Sequence, residues 1–412
     1  MATTGTEPTT DPAVSQRIDY LVILPLCLTV FTGALNTMGM NPFYRDIADD
    51  LGSTVPLIGQ TATATMITSG AMGLLVGPLA DHFGHRRSLM IGLIAIAVSA
   101  LGTALAPEYL PLMVARVAGG LGNAMTIGVS LGVAVSRFGG RARLRAMSFI
   151  GAGLSSATAV GPVGLASASE LIGWRGAFGI VAGIALTAFV MIALLVPSRR
   201  RHNSDTFSLR DIITSYAPIV ADRSIQSLYL VWTLRAICWF GPMSYLGAYV
   251  IDDLGFTTSE SGLVYMGAGI GYMTGSLMAG GRLGSLDLRL LSVLALIGMG
   301  AGWLCLYAAP TGLIATFGFL AIATLLAGIC QITITALMAE ESHAPPSTTM
   351  VLNESVLSFG AALGTLVGGV LIGFGGYPAL GIGLPLAAIT AAYIVGRQRR
   401  RSMERFDSRT FS

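Results

Sequence analysis

The chain has 412 residues, of which 53% are hydrophobic and only 11% charged, with a net charge of +3. A water-soluble domain carries about a quarter charged residues, so a surface this apolar needs lipid as its solvent. The four cysteines, Cys27, Cys238, Cys305 and Cys330, sit singly inside apolar segments, which excludes a disulfide frame and a thiolate metal site.

The first 15 residues are rich in Thr, Pro and Ser and lack a positive leader region. The apolar run that follows is long enough to span, so a cleaved signal peptide is not expected. A spanning helix needs about 20 mostly apolar residues. That window predicts twelve helices, near 20–41, 56–79, 88–106, 110–135, 145–170, 175–196, 226–251, 260–281, 288–309, 312–338, 348–373 and 378–396.

With the N-terminus in the cytoplasm, 20 of the 24 arginines fall on cytoplasmic segments, and only Arg45 and Arg175 fall outside. Arginine retention on the inner side is the usual sign of orientation, so both termini are expected in the cytoplasm and the chain in the cell inner (plasma) membrane. The chain also echoes itself at about half its length. Met147-Ser148-Phe149 returns as Leu357-Ser358-Phe359, Gly173-Trp174 as Gly376-Tyr377, and the 77–87 loop weakly as Gly281-Arg282-Leu283-Gly284. Such repeats predict two parallel six-helix halves.

The expected organisation is therefore an N-tail over 1–19, one bundle over 20–196, a linker over 197–225, a second bundle over 226–396 and a basic C-tail over 397–412. In the linker, Phe207, Ile212, Ile213, Tyr216, Ile219 and Val220 recur at helical spacing. They fit an amphipathic helix on the inner membrane surface, or an ordinary flexible connection.

Polar residues within the spans are the candidate site. They are Asn36, Arg116, Asn123, Arg235, Gln331, Asn353 and Glu354. A buried arginine costs about 2.5–3.5 kcal/mol on insertion scales, so Arg116 either faces water or a partner, or snorkels to the outer interface. Arg235 and Glu354 lie at depths that differ by only about 5 Å at the helical rise. A carboxylate beside an arginine can switch between ionised and protonated forms, which is the chemistry of proton coupling; a static bridge is the other reading. Pro162, after Gly161, is expected to kink the fifth span. All four histidines lie in loops, so no intramembrane metal site is expected, and the absence of a phosphate-binding glycine loop gives no support to ATP drive.

Between the second and third spans runs Gly77-Pro78-Leu79-Ala80-Asp81-His82-Phe83-Gly84-His85-Arg86-Arg87. Gly84 suits a tight turn, and Asp81 suits an anion at a helix N-terminus or beside an arginine, although the charges could also form a solvated turn. The run resembles the signature loop of the major facilitator superfamily, G-x-L-x-D-x-x-G-[RH]-[RK]-[RK], which Gly77, Leu79, Asp81, Gly84, Arg86 and Arg87 satisfy. Arg116, Gly120, Gly122 and Ala124 match that family's second motif, R-x-x-x-G-x-G-x-A. Gly161-Pro162 resembles the core of its antiporter motif, with Ala157, Leu165 and Ala166 departing from the flanking glycines. Asn36 stands where many drug:proton relatives carry an acid. Trp174-Arg175-x-x-Phe178 resembles exporter branches and reads as an interfacial anchor.

The resemblance implies an all-α membrane protein of twelve transmembrane helices in two six-helix pseudo-symmetric bundles around a central cavity. It implies that Asp81 meets both Arg137 and the start of the eleventh helix near 347–349, a latch favouring the outward-facing state. It places the seventh and eleventh helices side by side, so Arg235 and Glu354 are expected to pair. The implied function is secondary active transport of a small organic solute by alternating access, as proton-coupled efflux. Nutrient uptake by symport or facilitated diffusion is the alternative, and a polytopic sensor or enzyme is the non-transport alternative. Expected partners are the solute, protons and the bilayer, with no nucleic acid, no cofactor and no metal, and the chain is expected to act as a monomer.

Overall fold

The computed structural model describes residues 19–138, 140–197, 222–280, 283, 286–308, 313–341 and 346–410. Within them, the side chains at 77–78, 81–82, 135–136, 140–141, 143–144, 313, 339, 346–351 and 401–410 are not described. The amphipathic stretch expected in the linker and residues 1–18 of the N-tail lie outside the described residues.

The described chain is built of helices. They are α1 (Tyr20–Met38), α2 (Tyr44–Asp50), α3 (Val55–Phe83), α4 (His85–Leu105), α5 (Tyr109–Arg137), α6 (Gly140–Leu195), α7 (Arg223–Asp252), α8 (Thr258–Gly280), α9 (Leu288–Ala308), α10 (Leu313–Glu341), α11 (Pro346–Gly383) and α12 (Pro385–Thr410). In hydrocarbon every backbone N–H and C=O must find its partner within the segment, and the helix is the element that does this.

Seven stretches are long and apolar enough to cross a bilayer. Two of them, Arg145–Leu195 with 51 residues and Leu352–Arg400 with 49, are long enough to cross twice. The breaks come where the sequence repeats. α6 turns at Gly173 (φ 69°), and α11 turns at Gly375 and Gly376 (φ 65° at Gly376). Gly52 and Gly255 also take positive φ, at 58° and 72°. Both pairs, 52 with 255 and 173 with 376, are separated by an identical offset close to half the chain. Only glycine adopts this conformation cheaply, so the two halves turn at matching places for the same reason.

The backbone keeps helical dihedrals through Pro162, and the break in α6 comes at Gly173. α12 also runs further than the apolar signal predicts, continuing from the last span through the basic tail to Thr410.

Small residues set the helix packing. Around Gly122, an added Cβ would lie 2.6 Å from Ile96 and 2.7 Å from the Gly92 carbonyl, so α5 sits directly on α4. α8 and α10 meet backbone to backbone. A Cβ at Gly275 would strike the Leu325 carbonyl, and one at Gly328 would lie 2.8 Å from the Ser276 nitrogen. Lipid tails are as apolar as leucine, so close approach and dispersion replace the hydrophobic effect between these helices. Gly275→Ala should therefore destabilise the protein by about 1–3 kcal/mol. Gly128→Ala, where a Cβ meets nothing within 4 Å, should be neutral. Thermal unfolding of both variants in detergent checks the contrast.

Candidate functional site

The expected polar residues separate into two groups. The first joins α1 to α5. Arg116 is completely buried, and its Nη2 and Nη1 donate to the Asn36 carbonyl at 2.6 Å and to Asn36 Oδ1 at 3.2 Å. Asn36 Nδ2 donates to Asn123 Oδ1 at 3.2 Å, and Asn123 Nδ2 donates to Thr37 Oγ1. Thr65 Oγ1 donates to the Arg116 carbonyl at 2.9 Å, tying α3 in as well. The guanidinium thus reaches across to α1 and does not snorkel. Small residues make this possible, since a Cβ at Gly119 would lie 2.8 Å from Asn36 Nδ2 and one at the motif's Gly120 would strike the Thr65 carbonyl.

The second group lies in the other half. Arg235 is 1% exposed, and the Trp232 ring covers its guanidinium at 4.5 Å. Among the described residues its Nε and Nη1 have no hydrogen-bond partner, nor do Asn353 Oδ1 and Gln331 Oε1. Trp232 Nε1 donates to the Asn353 carbonyl at 3.1 Å, fixing α7 on α11. Glu354 lies within the electrostatic field of Arg235, but among the described residues no hydrogen-bonded ion pair joins them. Depth alone predicts the proximity but does not fix which way each side chain turns.

Glu354 is solvent-accessible even though α11 is embedded in the bundle. Leu363 marks the outward face of that helix at 45% exposed. At about 100° per residue, Glu354 lies on the opposite side. Its accessible surface therefore faces an internal opening.

The two halves close on the face away from the chain termini. Tyr245 of α7 fills a notch made by Gly59 on α3 and Gly368 and Gly369 on α11, and its hydroxyl donates to the Thr365 carbonyl at 3.0 Å. The Tyr44 ring packs on it edge to face, with centroids 5.8 Å apart. Around this plug Arg45 pairs with Asp252 at 3.4 Å, Tyr377 donates to Asp252 at 2.7 Å, and Thr258 donates to Asp46 at 2.8 Å. No sequence signal reveals Tyr245, because its partners lie more than a hundred residues away in the chain on either side. Gly161 and Pro162 lie at the same seam. A Cβ at Gly161 would lie 2.5 Å from Leu35, and one at Gly262 of α8 would lie 3.3 Å from the Pro162 carbonyl.

The signature loop is described in part. Gly84 takes φ 90° and makes the turn between α3 and α4. Arg86 donates to the Ala193 carbonyl, while Arg87 is exposed. Arg137 Nη2 lies 3.1 Å from Asp19, the N-cap of α1. The expected contacts of Asp81 lie outside the described residues, as do the packing of Gly77 and the side chains of 347–349. On the same face Arg399 donates to Asp287 at 2.6 Å and holds its carboxyl below the usual range. Arg175 pairs with Asp50, donates to the Ala106 carbonyl at 2.9 Å and stacks on Trp174 at 4.3 Å, an anchor for the start of the sixth span.

The α1–α5 network carries a stability prediction. Asn36→Ala removes an acceptor from a buried cation and should cost about 1–3 kcal/mol or more. Arg116→Met made on that background should recover part of the loss, because the stranded charge goes with it. Unfolding midpoints of the single and double variants measure the coupling.

Comparison with known proteins agrees with this architecture. The chloramphenicol resistance protein of Streptomyces lividans is 26% identical over 362 residues, covering 85% of this chain and 90% of that one. The multidrug resistance protein MdtM of Salmonella typhimurium is 24% identical over 249 residues, 60% of each chain. Other curated relatives match over a shorter reach: the chain spans only 26–32% of the length of the MFS antiporter QDR3 of Candida albicans, a multidrug resistance protein B homolog of Mycobacterium tuberculosis and a triacylglyceride transporter of Mycolicibacterium smegmatis. The fold matches the human organic anion transporter MFSD10 with a TM-score of 0.68 at 16% identity, over 91% of this chain and 99% of that one. It matches a bacterial homolog of the human lysosomal transporter Spinster, in an inward-facing and unoccupied conformation, equally well at 14% identity, over 91% and 94%. The sequence pattern of the Major Facilitator Superfamily matches residues 26–353, and the chain belongs to that family.

Proposed function

We propose that this protein is a secondary active transporter that exports a small organic solute in exchange for protons. One observation carries the reading. Glu354 is an accessible carboxylate facing the interior of the bundle, within the field of a buried arginine. Intramembrane ionisable groups are costly and persist where they serve a pathway. Here the carboxylate takes a proton from one side of the membrane and releases it to the other as the halves rock. Closure around Tyr245 on one face, with Glu354 accessible from within, fits one end state of that cycle.

The arginine distribution supports a path of twelve crossings with both termini in the cytoplasm. On that path the bundles are 20–196 and 226–396, joined by 197–225. The closed face is then the outer one, and the protein sits as a multi-pass protein in the plasma membrane. The relatives named for multidrug and chloramphenicol resistance support export of small organic molecules.

Proteoliposomes with an imposed pH gradient test the reading against a panel of solutes. Uphill solute movement opposite to the proton gradient is expected, and movement with the gradient would make the protein a symporter. Glu354→Gln should lower gradient-driven flux at least tenfold while leaving solute exchange intact; unchanged pH dependence removes Glu354 from the proton path. Asp81→Asn should reduce flux several-fold with membrane insertion unaffected, and normal flux in that variant would remove the proposed latch.

A further inference from the structure

The ionised groups inside the second half cancel. Arg235 brings one positive charge and Glu354 one negative charge, close enough to interact but not joined. Each keeps bonding capacity. Arg235 offers Nε–H and Nη1–H with no acceptor, and Glu354 presents its carboxylate to the internal opening. Two neutral acceptors nearby are also unmatched, Asn353 Oδ1 and Gln331 Oε1; Gln331 follows Cys330, whose thiol lies in the field of Arg235. Aromatic rings wall the site. Trp239 lies 5.0 Å from Tyr272 and 6.1 Å from Trp303, and Trp232 stacks on the guanidinium.

We infer that this site takes an uncharged aromatic solute bearing both a hydrogen-bond donor and an acceptor, and that it rejects permanent cations and anions. The inference rests on the transport reading above and names its substrate class. A cation drawn to Glu354 meets Arg235 at short range, and an anion drawn to Arg235 meets Glu354. A neutral solute satisfies both, its acceptor taking an Arg235 N–H and its donor reaching the carboxylate, while its ring packs at the edge of the aromatic cluster.

The solute donor and a proton then compete for the same carboxylate. As the donor binds, the Glu354 proton leaves to water in the opening, and the reverse step reloads it. The charged and titratable groups around Glu354 are Arg235 from α7 and Tyr272 from α8, with the Cys330 thiol of α10 behind Arg235. From α3, Gly70 and Gly73 pack on Ser355, so among the described contacts that helix brings no titratable group. Exchange of one neutral solute for one proton moves one net charge per turnover, so flux responds to membrane potential as well as to pH.

Binding can be read without transport, because Trp232 covers the Arg235 guanidinium and Trp239 and Trp303 continue from it through Tyr272. The probes are N-(2-hydroxyethyl)benzamide, benzoate and benzyltrimethylammonium, titrated into purified protein in detergent while tryptophan fluorescence is followed. The neutral amide alone should give a saturable change at pH 8, with at least tenfold weaker apparent affinity at pH 5. Glu354→Gln should remove that pH dependence, and Arg235→Gln should raise benzyltrimethylammonium affinity at least tenfold. Should Arg235→Gln fail to fold, the unaltered protein and Glu354→Gln decide. Either ion binding as tightly as the amide, pH-independent amide binding, or no saturable response to any probe overturns the inference. Gradient-driven flux with a preference for the cation sinks the substrate class and leaves transport standing; neutral-selective binding without flux does the reverse.

Discussion

Hydrocarbon offers no hydrogen bonds, and that shortage governs this molecule. Every backbone amide must be satisfied within its own segment, which leaves the helix as the workable element. The same shortage drives charge to the loops, where nearly all the arginines are found. It also changes how helices hold together. With no water to expel from between them, they gain by approaching closely, and the glycines at 122, 275 and 328 let backbone meet backbone.

Two buried arginines meet the shortage in opposite ways. Arg116 gives both terminal nitrogens to Asn36 on α1, and the Asn36–Asn123–Thr37 chain completes the joint. That arrangement has one good geometry, so it fixes α5 on α1. Arg235 is covered by an aromatic face and keeps two nitrogens unmatched beside an accessible carboxylate. An incompletely bonded buried charge is poised to change partner. One half of the molecule thus holds its arginine as a fastener and the other as a responsive group.

Much of this was legible in the sequence. Apolar length located most of the long helices, and the echo of Gly173 by Gly376 marked two helix breaks that share a positive φ. Gly84 was readable as the turn of the 77–87 loop. Rotation about a helix axis was not readable. The depths of Arg235 and Glu354 predicted that they meet, yet depth does not fix azimuth, and the two stop short of a bonded pair. Contacts between distant segments were equally silent. Nothing near Tyr245 announces the notch of Gly59 and Gly369, and nothing near Arg137 announces Asp19. A proline can be accommodated within a helix, and the break in α6 falls at the glycine eleven residues beyond Pro162.

The turn at Gly173 joins the two arms of α6 with no intervening loop. The first arm lies against α8 of the opposite half, where a Cβ at Gly269 would lie 3.0 Å from Ala159, and the second is anchored through Arg175 to Ala106 and Asp50. A loop would absorb displacement between them; a single residue has almost no slack to give. Any tilt imposed where the halves slide past each other is therefore handed on to the neighbouring rod, and the pair swings as one stiff lever.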